Sequence, residues 1–408
     1  MEQPEDHRPS ASVDEKVGAT ASASAPGVLV TRVRIANFRS IPACDVRVGP
    51  LTVIAGPNAA GKSNFLDALR FVRDALRLPL EQALESRGGL EGVLHRPSTG
   101  APADFFRIQL DLHVPAEDPD DGSARADASY LAEVGAVADE GGRPGVRREE
   151  LSLAGRTLSL TPQSASEDRP HNLAASRRRD VVPWHLRAMR FYELHTPVLR
   201  DVDQTRRSRG ASPLGEQGQH LARVLSALAH GTPAAKDVVD GYIATMIENA
   251  AGLDGREIPE ADLAYVVGRF LEDGRQKEVD RRSLSDGTLR LAGVLAALYQ
   301  PRALAGSIPL VGIEEPEISL HPPMLGALYD ALAGASQNTQ VMVTTQSADL
   351  LDNPAADPDH LLVVRDEGHG SVIGPIDETG RRLLADGVLS LPELLRSGEM
   401  RPQEGSGR

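Results

Sequence analysis

Two short stretches of the sequence carry side chains suited to a phosphorylated ligand. Gly56-Pro57-Asn58-Ala59-Ala60-Gly61-Lys62-Ser63 fits the pattern G-x-x-x-x-G-K-[ST] without exception. Glycines let the backbone wrap close to phosphate oxygens, and the amides at the head of a following helix point at the anion. Lys62 then reaches the β and γ phosphates, Ser63 offers its hydroxyl to Mg²⁺, and Asn64 continues the same turn. Far downstream, apolar Ile308–Ile313 runs into Glu314-Glu315-Pro316-Glu317. Carboxylates at the C-terminal end of a strand stand where ligands of open α/β sheets gather. In that place Glu314 supports the Mg²⁺ shell, and Glu315 is the candidate general base that orients an attacking water. The expected chemistry is binding of ATP with Mg²⁺ and hydrolysis of its terminal phosphate.

A third stretch, Ser283-Leu284-Ser285-Asp286-Gly287-Thr288, precedes an apolar helix. A serine, a glycine and a helix N-terminus make a corner that an anion can occupy, although the same residues also serve as an ordinary helix cap. A fourth, Thr344-Thr345-Gln346-Ser347, closes an apolar strand with a side chain that can hydrogen-bond phosphate or water but cannot carry a proton charge.

These residues need elements to hold them. Val28–Val33, Val46–Val48 and Leu51–Ala55 are β-branched or apolar runs broken by turn residues, and Asn64–Leu78 keeps a helical spacing through Phe65, Leu69, Val72 and Leu76. The glycine loop therefore stands between a predicted strand and a predicted helix. Phe105–Val114 alternates as a strand, with Phe106, Ile108, Leu110 and Leu112 on one face. Residues 115–143 hold eight acidic and two basic side chains with scattered Gly and Pro, which predicts a solvated loop. From there to residue 280 the pattern predicts a mainly helical arm over 151–280, with helices at His220–Leu228 and Ala234–Ala250. After Ser283 alternation returns: helix Leu289–Tyr299, strand Ile308–Ile313, helix Pro323–Ala333, strand Gln340–Thr344 and strand Leu361–Arg365. Such alternation reads as a mostly parallel sheet flanked by helices. The expected organisation is a disordered lead over 1–27, an N-lobe over 28–114, an insertion over 115–280, a C-lobe over 281–397 and a loose tail over 398–408.

Composition narrows the class. With 408 residues, 40% apolar and 25% charged, the chain is of ordinary globular make-up, and 3% aromatics leave Leu, Val, Ile and Ala to fill its core. One cysteine, Cys44, excludes an intrachain disulfide and fits a reducing cytoplasm. The N-terminus carries no apolar run of signal-peptide length, and no later run reaches membrane-spanning length, so no membrane association is expected. A net charge of −14 argues against a surface that coats nucleic acid throughout. Within it, Arg169 to Arg209 gathers ten arginines against four acids, a local +6 that is either a DNA-phosphate surface or a solvated face paired with nearby acids.

The order of motifs resembles the head domain of ABC-type ATPases of the SMC and RecF kind, and more narrowly the bacterial AAA-type ATPases related to the ATPase part of OLD-family proteins. The residues that carry it are Asn37-Phe38-Arg39-Ser40, Gly56–Ser63, Leu284–Thr288, Glu314–Pro322 (EEPEISLHP) and Thr344–Ser347 followed by Asp349-Leu350-Leu351. It covers about 29–113 and 281–365, and leaves the insertion unread. The resemblance implies a P-loop fold of mostly parallel sheet, with an N-terminal antiparallel β-lobe and a largely helical insertion. It implies a homodimer sandwiching two ATP molecules, in which Ser285 and Gly287 contact the γ-phosphate held by the partner copy's lysine loop, and Ser319 to His321 lie near the seam. Arg39 matches the family's N-terminal arginine and is expected near the nucleotide, with a plain surface role as the alternative. Gln346 stands where many relatives have histidine, which implies slow hydrolysis. For the glutamine that follows the phosphate loop in such folds, Gln82 and Gln109 are both arguable. About 60 residues follow Gln346, too few for the Toprim nuclease of OLD proteins, and Asp349, Asp352 and Asp357 read as loop carboxylates, so any nuclease or effector is expected on a separate chain.

Three function classes follow. The leading one is a slow ATP-driven clamp in DNA repair, recombination or anti-phage defence. The second is a regulatory ATP sensor with little turnover that restrains a partner effector. The third, the energising subunit of a transporter, fits poorly, because an insertion of roughly 170 residues lies between the glycine loop and Leu284–Thr288.

Overall fold

A computed structural model describes residues 29–115, 125–137, 143–160, 181–204 and 212–403. The expected lead over 1–27 lies outside the described residues.

The chain begins β1 (Leu29–Phe38), β2 (Ile41–Arg47), β3 (Leu51–Ala55), α1 (Lys62–Ala75), α2 (Leu80–Glu85) and α3 (Gly89–Val93). It continues β4 (Phe105–Pro115), β5 (Arg125–Val137), β6 (Arg143–Leu153), β7 (Arg156–Leu160), α4 (Val181–Ala188), β8 (Arg190–Tyr192) and α5 (Thr196–Arg200). Then come α6 (Leu221–Gly231), α7 (Pro233–Met246), β9 (Ala250–Ile258), β10 (Leu263–Glu272), β11 (Arg275–Asp280), α8 (Asp286–Tyr299) and α9 (Pro301–Leu304). The last part is β12 (Leu310–Glu314), α10 (Leu325–Ala335), β13 (Gln340–Thr345), β14 (Leu361–Asp366), β15 (Ser371–Gly374), α11 (Glu378–Ala385) and α12 (Leu391–Arg396).

The central sheet has the order β15-β14-β3-β13-β12-β8, parallel throughout except for β15 at one edge. Its strands are apolar on both faces, as a parallel sheet covered on two sides requires. Leu51, Val53, Val311, Ile313, Val341 and Val343 face a core built with α6, α7, α8 and α10. Ile54, Leu310, Met342, Leu362 and Val364 face the opposite core, shared with α1 and the β-lobe. That lobe is an antiparallel sheet ordered β2-β1-β4-β5-β6-β7. On β4 the predicted face is realised: Phe106, Ile108 and Leu110 are fully buried. Gln340, itself wholly buried, stitches the two sheets by donating to Val30 O and Gly49 O and accepting from Val30 N–H.

The stretch read as an acidic loop is corrected: β5 occupies its middle and pairs with β4 and β6 on either side. The acids that masked it fall largely at 116–124 and 138–142, outside the described residues, while Ala128, Tyr130, Ala132 and Val134 alternate inward. The arm is likewise only partly helical. Beside α6 and α7 it forms a sheet of order β11-β10-β9, and β8 joins the central sheet. Helix Ala234–Ala250 ends at Met246, and Ala250 instead starts β9. The expected tail is anchored as far as residue 403, with Met400 buried and Pro402 bridged to Ile376. No helix among the described residues is long and apolar enough to cross a membrane.

Candidate functional site

The parallel order brings the C-terminal ends of β3, β13 and β12 side by side, and the glycine loop, Gln346 and the acidic turn leave from those three ends. Gly56 N–H donates to Thr345 O at 3.3 Å. A β-carbon at Gly56 would lie 2.2 Å from Val364 O, so the loop runs too close to β14 for any side chain. Pro57, Asn58 and Ala59 are exposed, Ala59 in the left-handed region, and Ala60 N–H turns back to Pro57 O. Gly61 caps α1 at φ +106, with the Ser371 and Ser40 hydroxyls behind it. Asn64 Nδ2 donates to Ser40 Oγ at 2.6 Å, and Ser40 Oγ lies 2.6 Å from Ser371 Oγ. The head of α1 is thus fixed by polar contacts with Ser40, between β1 and β2, and with Ser371 of β15.

Lys62 folds over the loop, its Nζ donating to Gly56 O at 3.0 Å and Pro57 O at 2.9 Å. Burial lowers its pKa, and the carboxylates of Glu315 and Glu317 oppose that shift, which places both acids within the field of the ammonium. The Ser63 hydroxyl shares a cleft wall with Glu314 at the end of β12 and favours the ionised form of that acid. Burial raises the pKa of Glu314. The Ser63 hydroxyl and the Arg70 guanidinium act against that, and Glu193 adds to it. Glu315 takes a left-handed φ of 43°, held by its N–H donating to Thr344 O and Thr344 Oγ1, both at 3.1 Å.

Ser63, Asn64 and Glu314 share a cleft of about 590 Å³ with Arg39, Arg70, Glu193 and Glu216. Arg39, at φ +49, ion-pairs with Asp67 of α1 at 3.0 Å on that cleft's wall. Gln346 is exposed, and its backbone N–H donates to Glu317 Oε1 at 3.3 Å. Ser285 and Gly287 stand in a different setting. Ser285 caps α8, accepting from Thr288 N–H at 3.0 Å, and a β-carbon on Gly287 would lie 2.4 Å from Ser319 O. The contacts that fix these two are with α8 and with the turn after the acids.

Sequence reasoning missed three residues. Glu193 follows β8, the strand beside β12, and so reaches the cleft, whose lining includes neither Gln82 of α2 nor Gln109 of β4, the two candidates for the glutamine after the phosphate loop. Gln109 belongs to the β-lobe, where its amide lies 3.4 Å from Asp111. The others are Arg70, at 3.0 Å from Glu314, and Glu317, which is buried. A sequence signal existed for Arg70, two turns along the helix from Lys62, but Glu193 depends on strand order. Asp349 ion-pairs with Arg396, Asp357 caps Asp359 N–H, and no cage of three or more His, Cys, Asp or Glu is present among the described residues.

The oxygen donors on this wall fit Mg²⁺, a hard cation that takes one or two carboxylates and completes its shell with water and phosphate oxygens. Ser63 and Glu314 are the residues that would hold it.

The fold is similar to solved heads of Smc proteins. One is the Smc head bound to the C-winged helix domain of ScpA, with a TM-score of 0.56 and 14% identity over 86% of this chain and 99% of that one. Another is the Smc head with an extended coiled coil from Pyrococcus furiosus, at 0.54 and 13%, covering 88% and 99%. A third, from Pyrococcus yayanosii, gives 0.53 and 10%, covering 91% and 100%. At these identities the likeness is one of fold. No curated protein matches the chain. The sequence profile of the family described as "AAA domain, putative AbiEii toxin, Type IV TA system" matches residues 51–352, a span from β3 past Gln346. With most of its length inside that match, and with the glycine loop and the acidic turn at adjoining strand ends, the chain belongs to this AAA-domain family of P-loop ATPases.

Proposed function

We propose that the chain binds ATP with Mg²⁺ at the loop Gly56–Ser63, hydrolyses it slowly, and pairs with a second copy around the nucleotide as a clamp. The observation that carries this reading is the convergence of Lys62, Ser63, Glu314 and Glu315 on the neighbouring ends of three parallel strands. Lys62 and the α1 amides grip the phosphates, Ser63 and Glu314 hold the metal, and Glu315 orients the attacking water. When bound, Mg²⁺ neutralises charge developing on the phosphate oxygens. Ser285 and Gly287 are fixed at the head of α8 by contacts with that helix and with Ser319, and a helix head of this kind can receive an anion, which supports their use by the partner copy. A phosphate gripped from two chains supplies charge-assisted contacts that vanish on hydrolysis.

The setting would be DNA repair, recombination or anti-phage defence. DNA contact draws little support from the described part of the arginine band. Arg200 donates to the carbonyls of Arg281 and Leu284 and pairs with Asp286, and burial lowers the pKa of Arg190. The rest of the band, 169–180 and 205–211, lies outside the described residues. A second reading, a nucleotide sensor with little turnover and a separate effector, is favoured by Gln346, whose amide cannot relay a proton.

Mass in solution with and without ATP, using Glu315→Gln to trap the bound state, tests the clamp. The expected result is a doubling with ATP, and a mass unmoved by saturating ATP overturns it. Single-turnover hydrolysis separates the two readings: wild-type turnover abolished by Glu315→Gln with binding retained supports the enzyme, and equal negligible rates support the sensor.

A further inference from the structure

Glu317 is the least exposed acid of the turn, at 8% relative exposure, and the reading above gives it no task. Its Oε1 accepts from Thr345 Oγ1 at 2.5 Å and from the Gln346 N–H at 3.3 Å. Its Oε2 is buried and has no hydrogen-bond partner among the described residues. Thr345 is wholly buried, and its hydroxyl also accepts from Ser347 N–H at 3.0 Å. One carboxylate oxygen therefore gathers the last residue of β13 and the first beyond it onto the turn that follows β12.

The same turn is tied at one further point, where Glu315 N–H is held by Thr344 on β13. The backbone bond sets where Glu315 leaves its strand, and the carboxylate bond sets where Gln346 leaves the neighbouring one. Leu320 N–H donates to Glu317 O at 3.0 Å, and Ser319 O lies against Gly287 at the head of α8.

We propose that Glu317 is a positioning residue, whose Oε1 clamps Thr345 and Gln346 to the acidic turn and so fixes the distance between Gln346 and Glu315 across the two strand ends. The proposal rests on the ATPase reading for its consequence in turnover and on the hydrogen bonds alone for its consequence in structure. A buried carboxylate with an orphaned oxygen is costly, and glutamine, its neutral isostere, would accept the same two bonds more cheaply. The two cations facing it, Lys62 from α1 and Arg290 from α8, supply the compensating field, with Glu315 acting against them. Glu317 thereby links three elements that each contribute a residue to the site.

The test compares Glu317→Gln, Glu317→Ala and Thr345→Val with the wild-type full chain by steady-state ATP hydrolysis and by amide hydrogen exchange over 340–351. Glutamine keeps an oxygen that accepts both bonds, so Glu317→Gln should retain turnover within about threefold. Glu317→Ala and Thr345→Val should lower kcat by at least about tenfold while KM for ATP stays within about twofold, because positioning and not phosphate grip is lost. Exchange at the Gln346 amide should quicken in Glu317→Ala and remain as in wild type in Glu317→Gln. Unchanged Gln346 exchange in Glu317→Ala overturns the proposal, whether or not the wild type turns over ATP. Equal loss of turnover in Glu317→Gln and Glu317→Ala overturns it too, since it would make the charge and not the clamp the essential feature. A wild type that neither binds nor hydrolyses ATP defeats the ATPase reading and leaves the exchange result to decide this one.

Discussion

Arg70 Nη2 lies 3.0 Å from Glu314 Oε1, so the acid that ends β12 is held by a cation two turns along the helix that begins at Lys62. Both side chains are largely buried, and the guanidinium also lies 5.8 Å from the centroid of the Phe191 ring on β8. Arg70 thus ties α1, β12 and β8 together at the wall that carries the proposed metal ligands Ser63 and Glu314. Truncating either partner strands the other in a poorly hydrated place. Arg70→Ala should cost about 2 kcal/mol of stability, and the double-mutant cycle with Glu314→Ala should show a coupling of about 1–2 kcal/mol. Urea denaturation of the four proteins measures it, and strictly additive losses would show the pair to be decorative.

How far the sequence disclosed this site depends on whether the signal is local. Leu51–Ala55, the glycine loop and the following helix are contiguous, and each is written in its own residues, so they read correctly. β5 was hidden because acids crowd its two ends while the inward set Ala128, Tyr130, Ala132 and Val134 is mostly small. Glu193 was hidden for another reason: it matters only because β8 pairs with β12, and strand order over more than a hundred residues leaves no local trace. Glu317 looked like one more acid in a solvated turn, and its burial is a tertiary fact.

Gly56 and Gly61 were read as serving the phosphate, and the structure adds a steric reason for each. Gly56→Ala would set a β-carbon against the Val364 carbonyl, backbone that cannot step aside, whereas Gly61→Ala meets the Ser371 hydroxyl and adds the strain of φ +106. Both should lower the melting temperature in the absence of nucleotide, by about 2 kcal/mol or more in stability. Adding Ser371→Ala should recover part of the Gly61→Ala loss and none of the Gly56→Ala loss. Equal recovery in both would contradict the packing described.

Lys62→Ala should abolish ATP affinity while leaving the fold intact. The ammonium is buried and burial lowers its pKa, while Glu315 and Glu317 favour its charged form, and Arg290 still faces Glu317 when Lys62 is removed. Two carbonyls, Gly56 O and Pro57 O, lose a donor, but both belong to a loop that water can reach at Pro57 to Ala59. The stability change should stay within about 1 kcal/mol. Calorimetric titration with ATP alongside thermal melting checks both halves, and unfolding at room temperature would refute the assignment.

Glu317 also carries a pH signature. Burial holds its carboxyl above the ordinary 4.5, with Glu315 adding to that, while the Thr345 hydroxyl and backbone amides favour the ionised form. Lys62 and Arg290 are the cations that face it. An acid whose folded pKa exceeds its unfolded one binds more protons in the folded state, so its contribution to stability is greatest at low pH and is lost as pH rises through the folded value. Glu317→Gln removes that loss. The melting temperature of the variant minus that of wild type should therefore grow as pH climbs above 4.5, and a difference flat with pH would mean that the carboxyl ionises at no cost.

Ser285→Arg probes the pairing of copies without touching the lysine loop. Ser285 accepts from Thr288 N–H at the head of α8, and Gly287 packs on Ser319 O, so this corner belongs to the face that also carries the turn after the acids. An arginine there forfeits a cap worth about 1 kcal/mol, which the fold can tolerate. It also fills the corner that a partner copy's phosphate would enter. ATP binding by the single chain should stay within about threefold of wild type, since Lys62, Ser63 and Glu314 are untouched, while ATP-dependent mass doubling and turnover should both disappear. Turnover equal to wild type would remove Ser285 from the catalytic arrangement and leave each chain to hydrolyse ATP on its own.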